Sequence, residues 1–123
     1  MKKIFFYILL LFILNNTIAQ KISSVEHFTI NNGLSQNTIT YIYQSKNGLI
    51  WFGSQDGVNI YNGYDFEILK HEPTNENSLS NGHINCITED VDGNIIFATQ
   101  NGLNIWNPTT NIFKRLFYNP QSD

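Results

Sequence analysis

The stretch from Leu34 to Asn62 returns 45 residues later as Leu79 to Asn107, aligned without a gap and identical at 12 of 29 positions. The shared residues are Leu34/Leu79, Ser35/Ser80, Ile39/Ile84, Ile42/Ile87, Gly48/Gly93, Ile50/Ile95, Phe52/Phe97, Gln55/Gln100, Gly57/Gly102, Asn59/Asn104, Ile60/Ile105 and Asn62/Asn107. Several differences are conservative, among them Trp51/Ile96, Gly53/Ala98, Ser54/Thr99, Val58/Leu103 and Tyr61/Trp106. A period in the mid-forties filled with short apolar–polar alternation is the length of one four-stranded blade. A single blade cannot bury both faces of its sheet, so it needs neighbours, and a closed ring takes about four to eight of them. Two copies therefore predict an all-β fold: two tandem four-stranded antiparallel blades of an incomplete β-propeller.

Each copy divides into four strand-like runs. In the first these are Thr38–Gln44, Leu49–Ser54, Val58–Asn62 and Asp65–Lys70, separated by Asn47-Gly48, Asp56-Gly57 and Asn62-Gly63. Asn-Gly and Asp-Gly supply the positive φ that tight hairpins need. The second copy gives His83–Glu89, Ile95–Thr99, Leu103–Asn107 and Ile112–Phe117. Blade 1 is thus expected over 38–70, a linker over 71–82 and blade 2 over 83–117, with a lead-in over 20–37 and the start of a further linker over 118–123. Leu79 is expected to plug the junction between blades. Glu26–Ile30 reads as a lone strand that would complete the outer edge of a final blade. Trp51 and Trp106, at repeat positions, read as inter-blade core. No 3.6-residue apolar period follows the first twenty residues, so almost no helix is expected.

The chain opens Met1-Lys2-Lys3, then runs through eleven apolar residues from Ile4 to Leu14 and a short polar stretch to Ala19. A basic start, a short apolar run and small residues at Thr17 and Ala19 describe a signal peptide over 1–19, cut before Gln20. Eleven helical residues rise only about 16 Å, well short of the roughly 30 Å hydrocarbon core, which disfavours an uncleaved anchor. Without Lys2 and Lys3 the product carries five basic and ten acidic residues. Nucleic-acid binding rests on clustered Lys and Arg; Lys114-Arg115 alone makes no patch, so no nucleic-acid partner is expected through this segment. Cys86 is the single cysteine. It reads as a buried small hydrophobe rather than a disulfide half.

Chemistry is sparse. His27, His71 and His83 have no ligand spacing, so neither a metal site nor a cofactor is expected. Glu89-Asp90-Val91-Asp92 lacks the oxygen ladder of a calcium loop and reads as a charged hairpin turn. Gly53-Ser54-Gln55-Asp56-Gly57 has the wrong spacing for a nucleophile elbow. Asn47-Gly48 to Trp51 and Asp92-Gly93 to Ile96 resemble the aspartate boxes of sialidase-like propellers, which are structural turns. No catalytic residue is assigned, and this segment is not expected to be an enzyme.

Gly33-Leu34-Ser35-Gln36-Asn37, followed by Ile50-Trp51-Phe52-Gly53-Ser54-Gln55-Asp56-Gly57-Val58-Asn59, resembles the two-component regulator propeller repeat. The second copy, Gly93 to Trp106, resembles it too, departing at Ile96, where tryptophan is expected, and at Ala98, where glycine is usual. Leu34, Gly48, Trp51, Gly57, Leu79, Gly93, Gly102 and Trp106 are the structural positions of the repeat. The resemblance implies the N-terminal region of an extracytoplasmic sensor belonging to a Bacteroidetes-type hybrid histidine kinase. It implies export to the periplasmic face of the inner membrane and signal perception by downstream blades and signalling domains of the same protein. Many members sense oligosaccharides, and the full-length protein would then be a histidine kinase. On that view Gln55, Asp56, Gln100 and Asn101, on the second turns of the two blades, are the candidate ligand-binding residues, with Tyr41, Tyr43 and Trp51 nearby. An oligosaccharide ligand and a homodimer are the further partners expected. Two other readings stay open: a piece of a secreted propeller enzyme (lyase, quinoprotein or glycosidase), and a free-standing interaction propeller. Two meanders leave apolar faces open, so the segment expressed alone is expected to self-associate.

Overall fold

The computed structural model describes residues 25–119. The signal peptide, the Gln20 start and the end of the 118–123 linker lie outside these. Eight strands form in chain order: β1 (Ile39–Gln44), β2 (Ile50–Ser54), β3 (Gly57–Tyr61), β4 (Phe66–Leu69), β5 (Ile84–Glu89), β6 (Ile95–Thr99), β7 (Gly102–Asn107) and β8 (Ile112–Leu116). Every boundary falls within one residue of the expected run. Among the described residues the helical content is a single 3-10 turn, Ile30–Asn32. The strands make two antiparallel meanders, β1-β2-β3-β4 and β5-β6-β7-β8. Each has the same irregularity in the inner strand, at Ile39/Tyr41 and at Ile84/Cys86. The two blades are therefore copies in backbone detail as well as in sequence.

The register sorts side chains onto two faces, because successive residues of a strand point to opposite sides. In blade 1, Tyr43, Trp51, Gly53, Val58 and Ile60 share the face towards blade 2. In blade 2, Ile84, Ile87, Ile95, Phe97 and Trp106 share the face towards blade 1. These faces meet in one core that also takes in Leu79. Trp51 lies 6.0 Å from Phe97 and 5.6 Å, edge-on, from Trp106 between ring centroids, separations at which aromatic pairs attract beyond their area. Gly53 lets the backbones close up: a methyl there would lie 2.7 Å from the Ile84 Cγ2 atom. Polar latches tie the same junction. Thr40 Oγ1 donates to the Ile84 carbonyl (2.6 Å), and the Lys46 N–H donates to Glu89 Oε2 (2.8 Å).

The outer faces are open, and equivalent residues show it. Ile87 is 1% exposed, whereas its counterpart Ile42 is 62% exposed; Val58 is 0% exposed and its counterpart Leu103 is 44%. Burial here belongs to the junction between blades, not to the blade.

Two expectations are corrected. Residues 25–29 form no strand. Thr29 is extended, but it caps the following 3-10 turn instead of joining a ladder, and the ordering force is the Phe28 ring against Tyr61 (4.9 Å) and Phe66 (5.2 Å). Cys86 is half-buried rather than buried; it stands opposite Ala98 in the β5–β6 register and meets the exposed Tyr41 hydroxyl of blade 1.

Candidate ligand face

Each second turn is held by a chain of buried hydrogen bonds, clearest in blade 2. Asn104 Oδ1 accepts from the Ser80 N–H (2.8 Å), and Asn104 Nδ2 donates to Ser80 Oγ (2.9 Å). Thr99 Oγ1 donates to the Gly102 carbonyl (3.0 Å) and accepts from the Asn101 N–H (3.1 Å). The Thr99 proton is thereby committed, so in the 3.1 Å contact between Ser80 Oγ and Thr99 Oγ1 it is Ser80 that donates. Blade 1 repeats this with Ser35, Ser54 and Asn59, except that Asn59 Nδ2 donates to the Phe52 carbonyl (3.3 Å). The Ser35 N–H donates to Asn59 Oδ1 (2.6 Å), Ser35 Oγ meets Ser54 Oγ (3.1 Å), and Ser54 Oγ donates to the Gly57 carbonyl (2.9 Å) while accepting the Asp56 N–H (3.0 Å). Asn59 and Asn104 are fully buried. Such groups persist inside only when paired, and here the pairing joins the lead-in, the second strand and the third strand of one blade.

Gly57 and Gly102 complete the turns at φ +109° and +94°. A side chain at either would strike the carbonyl oxygen of Leu69 or Leu116 on the outer strand. The Gly57 N–H also donates to the Gly82 carbonyl (2.7 Å), which fastens the blade 1 turn to the lead-in of blade 2.

On this frame the four candidate residues are all exposed and lie at equivalent second-turn positions. Their engagements differ. Asp56 accepts from Lys70 Nζ (2.7 Å), an exposed ion pair worth at most about 1 kcal/mol. Gln55 Oε1 is 3.5 Å from Gln36 Nε2. Through its backbone, Gln100 bonds the His83 carbonyl (3.2 Å). Trp51 is buried, with its indole N–H on Ser45 Oγ (2.9 Å), so it belongs to the core and not to this face. Tyr41 is partly exposed, and its hydroxyl is pushed above the ordinary phenol value chiefly by a hydrogen bond with Cys86.

Sequence reasoning missed two supports. The Ser–Asn clasp was visible as identities at Ser35/Ser80 and Asn59/Asn104 but had no assigned role. Arg115 is the second, beyond its place in the basic pair Lys114-Arg115. It anchors the linker by donating to the Ser78 carbonyl (2.8 Å), the Asn75 carbonyl (2.7 Å), Ser78 Oγ (2.8 Å) and the Leu79 carbonyl (3.2 Å). A cleft of about 320 Å³ lies beside this anchor, lined by Glu76, Phe113, Arg115 and Phe117, and includes none of the four candidate residues. Among the described residues no group of His, Cys, Asp or Glu is arranged to hold a metal ion. No described helix is long and apolar enough to cross a membrane.

The two-component regulator propeller family matches residues 33–56 and 78–106, which include both Ser–Asn clasps' lead-ins and both second turns up to Asp56 and Trp106. Both blades are thus similar to the two-component regulator propeller repeat. These repeats relate the chain to known proteins. Histidine kinase P4 of Formosa agariphila is 41% identical over 46 residues, 37% of this chain and 3% of that protein. Among solved structures, the extracellular domain of a protein named as a hybrid two component system from B. thetaiotaomicron superposes with a TM-score of 0.71 at 32% identity. That match covers 79% of this chain and 14% of the other. The extracellular domain of a protein named as a one component system from the same organism gives a TM-score of 0.66 at 26% identity, covering 80% and 14%. The chain therefore spans a small part of each relative's length. Of the repeat positions, Trp51, Leu79 and Trp106 lie in the core between the blades, and Gly57 and Gly102 close the second turns.

Proposed function

We propose that this chain is part of the exported sensor propeller of a hybrid two-component histidine kinase, acting in signal perception at the periplasmic face of the inner membrane. The observation that carries the reading is the shared repeat architecture with the extracellular domain of a hybrid two component system, at 32% identity over 79% of the chain. The basic and apolar start of the chain accords with export. Its partners are further blades and signalling domains of the same protein, and phosphotransfer belongs to those domains.

The ligand face is the side bearing the second turns, with Gln55, Asp56, Gln100 and Asn101 as the contact residues and an oligosaccharide as the ligand. Amides and a carboxylate on a rigid backbone suit sugar hydroxyls, which need donors and acceptors held at fixed positions. Isothermal titration of the purified chain against a panel of plant and algal oligosaccharides tests the reading. Binding of one glycan class is expected, with loss of at least tenfold in affinity when Gln100 and Asn101 are both changed to Ala. Absence of heat with every glycan, or binding that survives replacement of all four residues, refutes the assignment of this face.

A further inference from the structure

The cleft beside the Arg115 anchor has an aromatic wall and a charged one. Phe113, Arg115 and Phe117 alternate along β8 and the residue after it, so they share one side of the sheet. That side is turned to blade 1: Phe113 stands opposite Trp106 in the β7–β8 register and packs on the Trp106 and Phe97 rings at 6.2 Å and 6.4 Å. The other wall is the 71–82 linker, which contributes Glu76. Both walls lie on the blade 1 side of blade 2, away from the faces that further blades of the protein would cover.

The polar groups in the cleft have capacity to spare. Arg115 spends Nε and Nη2 on the linker, and Nη1 donates to no described residue. The Glu76 carboxylate likewise has no partner among the described residues, whose ion pairs are Lys46–Glu89 and Lys70–Asp56. Phe113 is fixed by its packing, whereas Phe117 is 56% exposed. A methyl at Gly102 would lie 3.3 Å from Phe117 Cδ1, so this ring stands beside the second turn that carries Asn101. Leu69 opposes Val58 as Leu116 opposes Leu103, which makes Lys70 the counterpart of Phe117. The tip of blade 1 thus holds the Asp56–Lys70 ion pair, and at blade 2 both members change together, to Asn101 and Phe117.

We propose that this cleft is a subsite for one uncharged pyranose ring of an oligosaccharide whose neighbouring units reach the second turn at Asn101. The assignment rests on the carbohydrate reading above and extends its contact surface outward along blade 2. A volume of about 320 Å³ is at the small end of ligand sites and suits a single sugar unit. The C–H face of a pyranose covers an exposed aromatic ring, and its edge carries hydroxyls. Ionised Glu76 is an acceptor only and takes hydroxyl protons; Arg115 Nη1 is a donor only and takes a hydroxyl or ring oxygen. An acidic sugar is disfavoured twice. Its anion would stand beside Glu76, and the two-nitrogen fork that grips a carboxylate is no longer whole, because Nε and Nη2 are engaged.

Isothermal titration of the purified chain with neutral oligomers of glucose, galactose and mannose, and with a galacturonate oligomer, tests the proposal. The variants are Phe117→Ala, Glu76→Gln and, as a control on the opposite side of β8, Lys114→Ala. All three residues are exposed, and far-ultraviolet circular dichroism verifies that each variant folds. A neutral oligomer is expected to bind, roughly tenfold more weakly to Phe117→Ala and to Glu76→Gln and unchanged to Lys114→Ala. Its C–H proton resonances are expected to move upfield on binding, through the ring current of Phe117, and to lose that shift in Phe117→Ala. Affinity unchanged in both cleft variants, but abolished when Gln55, Asp56, Gln100 and Asn101 are replaced, overturns the cleft and leaves the second-turn face standing. Affinity lost in the cleft variants but indifferent to those four residues bears out the cleft and overturns the second-turn assignment. Tighter binding of the galacturonate oligomer than of any neutral one overturns the uncharged ligand, and absence of heat with every oligomer overturns both readings.

Discussion

Gly57→Ala and Gly48→Ala separate backbone strain from a steric contact. Both glycines sit at positive φ, +109° and +88°. Alanine at either position costs ~1–2 kcal/mol for the left-handed conformation and recovers ~0.4–1 kcal/mol by stiffening the unfolded chain. At Gly48 nothing lies within reach of an added methyl, so the net loss is about 1 kcal/mol. At Gly57 the methyl meets the Leu69 carbonyl oxygen, a backbone atom on β4 that no rotamer change removes. Relief requires β4 to shift off β3, against a register that runs from Val58↔Leu69 to Tyr61↔Phe66. Overpacking of this kind adds ~1–3 kcal/mol, and a ladder hydrogen bond lost at the end of the strand adds about 1 kcal/mol. The expected losses are therefore roughly 3–5 kcal/mol for Gly57→Ala and roughly 1 kcal/mol for Gly48→Ala. Urea unfolding followed by tryptophan fluorescence measures both, since Trp51 and Trp106 share the core. All samples are held at one protein concentration, because association shifts apparent stability. Equal losses at the two positions, with unchanged urea dependence, would refute the claim that the β4 carbonyl is what excludes a side chain at Gly57.

Asn104→Ala removes the acceptor of the buried Ser80 N–H and is expected to destabilise the chain by ~2–4 kcal/mol, with faster amide exchange at Ser80; unaltered protection of that amide counts against the clasp. Asp90 is held below the ordinary aspartate value of 3.8, first by the Asn94 side-chain amide and then by the Asn94, Asp92 and Gly93 backbone N–H groups, against an opposing effect of desolvation. Its folded value being the lower one, its contribution to stability is present above the unfolded value and is lost as pH falls through the folded one. An NMR titration should place the Asp90 midpoint below 3.8 and move it upward in Asn94→Ala; a midpoint that ignores this substitution removes the cause assigned here.

Strand positions were legible because the chain spells its turns with Asn-Gly and Asp-Gly and fills the intervals with β-branched and aromatic residues. The 25–30 segment misled because β-type residues make a strand only when a partner edge is available, and Phe28 spends its apolar surface on Tyr61 and Phe66 instead. Ile42 and Ile87 are the same residue at the same repeat position, yet one is exposed and the other buried. No local signal distinguishes them, since the difference lies in which sheet stands in front. The clasp was hidden for a related reason: Ser80 and Asn104 are 24 residues apart, and a pairing across that distance follows from topology, not spacing. The duplication of both residues was the available clue, because a buried Ser–Asn pair preserved in two otherwise diverging copies has to satisfy something common to both.

That preserved set defines how the candidate face is built. Within each second turn the supporting residues are invariant between the blades or exchange like for like: Ser35/Ser80, Ser54/Thr99, Gly57/Gly102 and Asn59/Asn104. The hydroxyl exchange keeps both bonds of the clasp, one to the glycine carbonyl and one from the turn N–H. The tips carry one invariant side chain, Gln55/Gln100, and one that changes, Asp56/Asn101. The change has a consequence: Asp56 takes an ion pair with Lys70, whereas position 101 carries no charge to offer one. A frame fixed through buried backbone and hydroxyl bonds allows the exposed tip to vary without moving its own backbone. A surface that must discriminate among polar ligands on a repeated scaffold needs that separation, with rigidity below and freedom to substitute above. If the same residues served both roles, a change in specificity would cost a turn. Here Asp56 and Asn101 differ in charge while the glycines that follow them keep the same positive φ and the same outer-strand carbonyl contact.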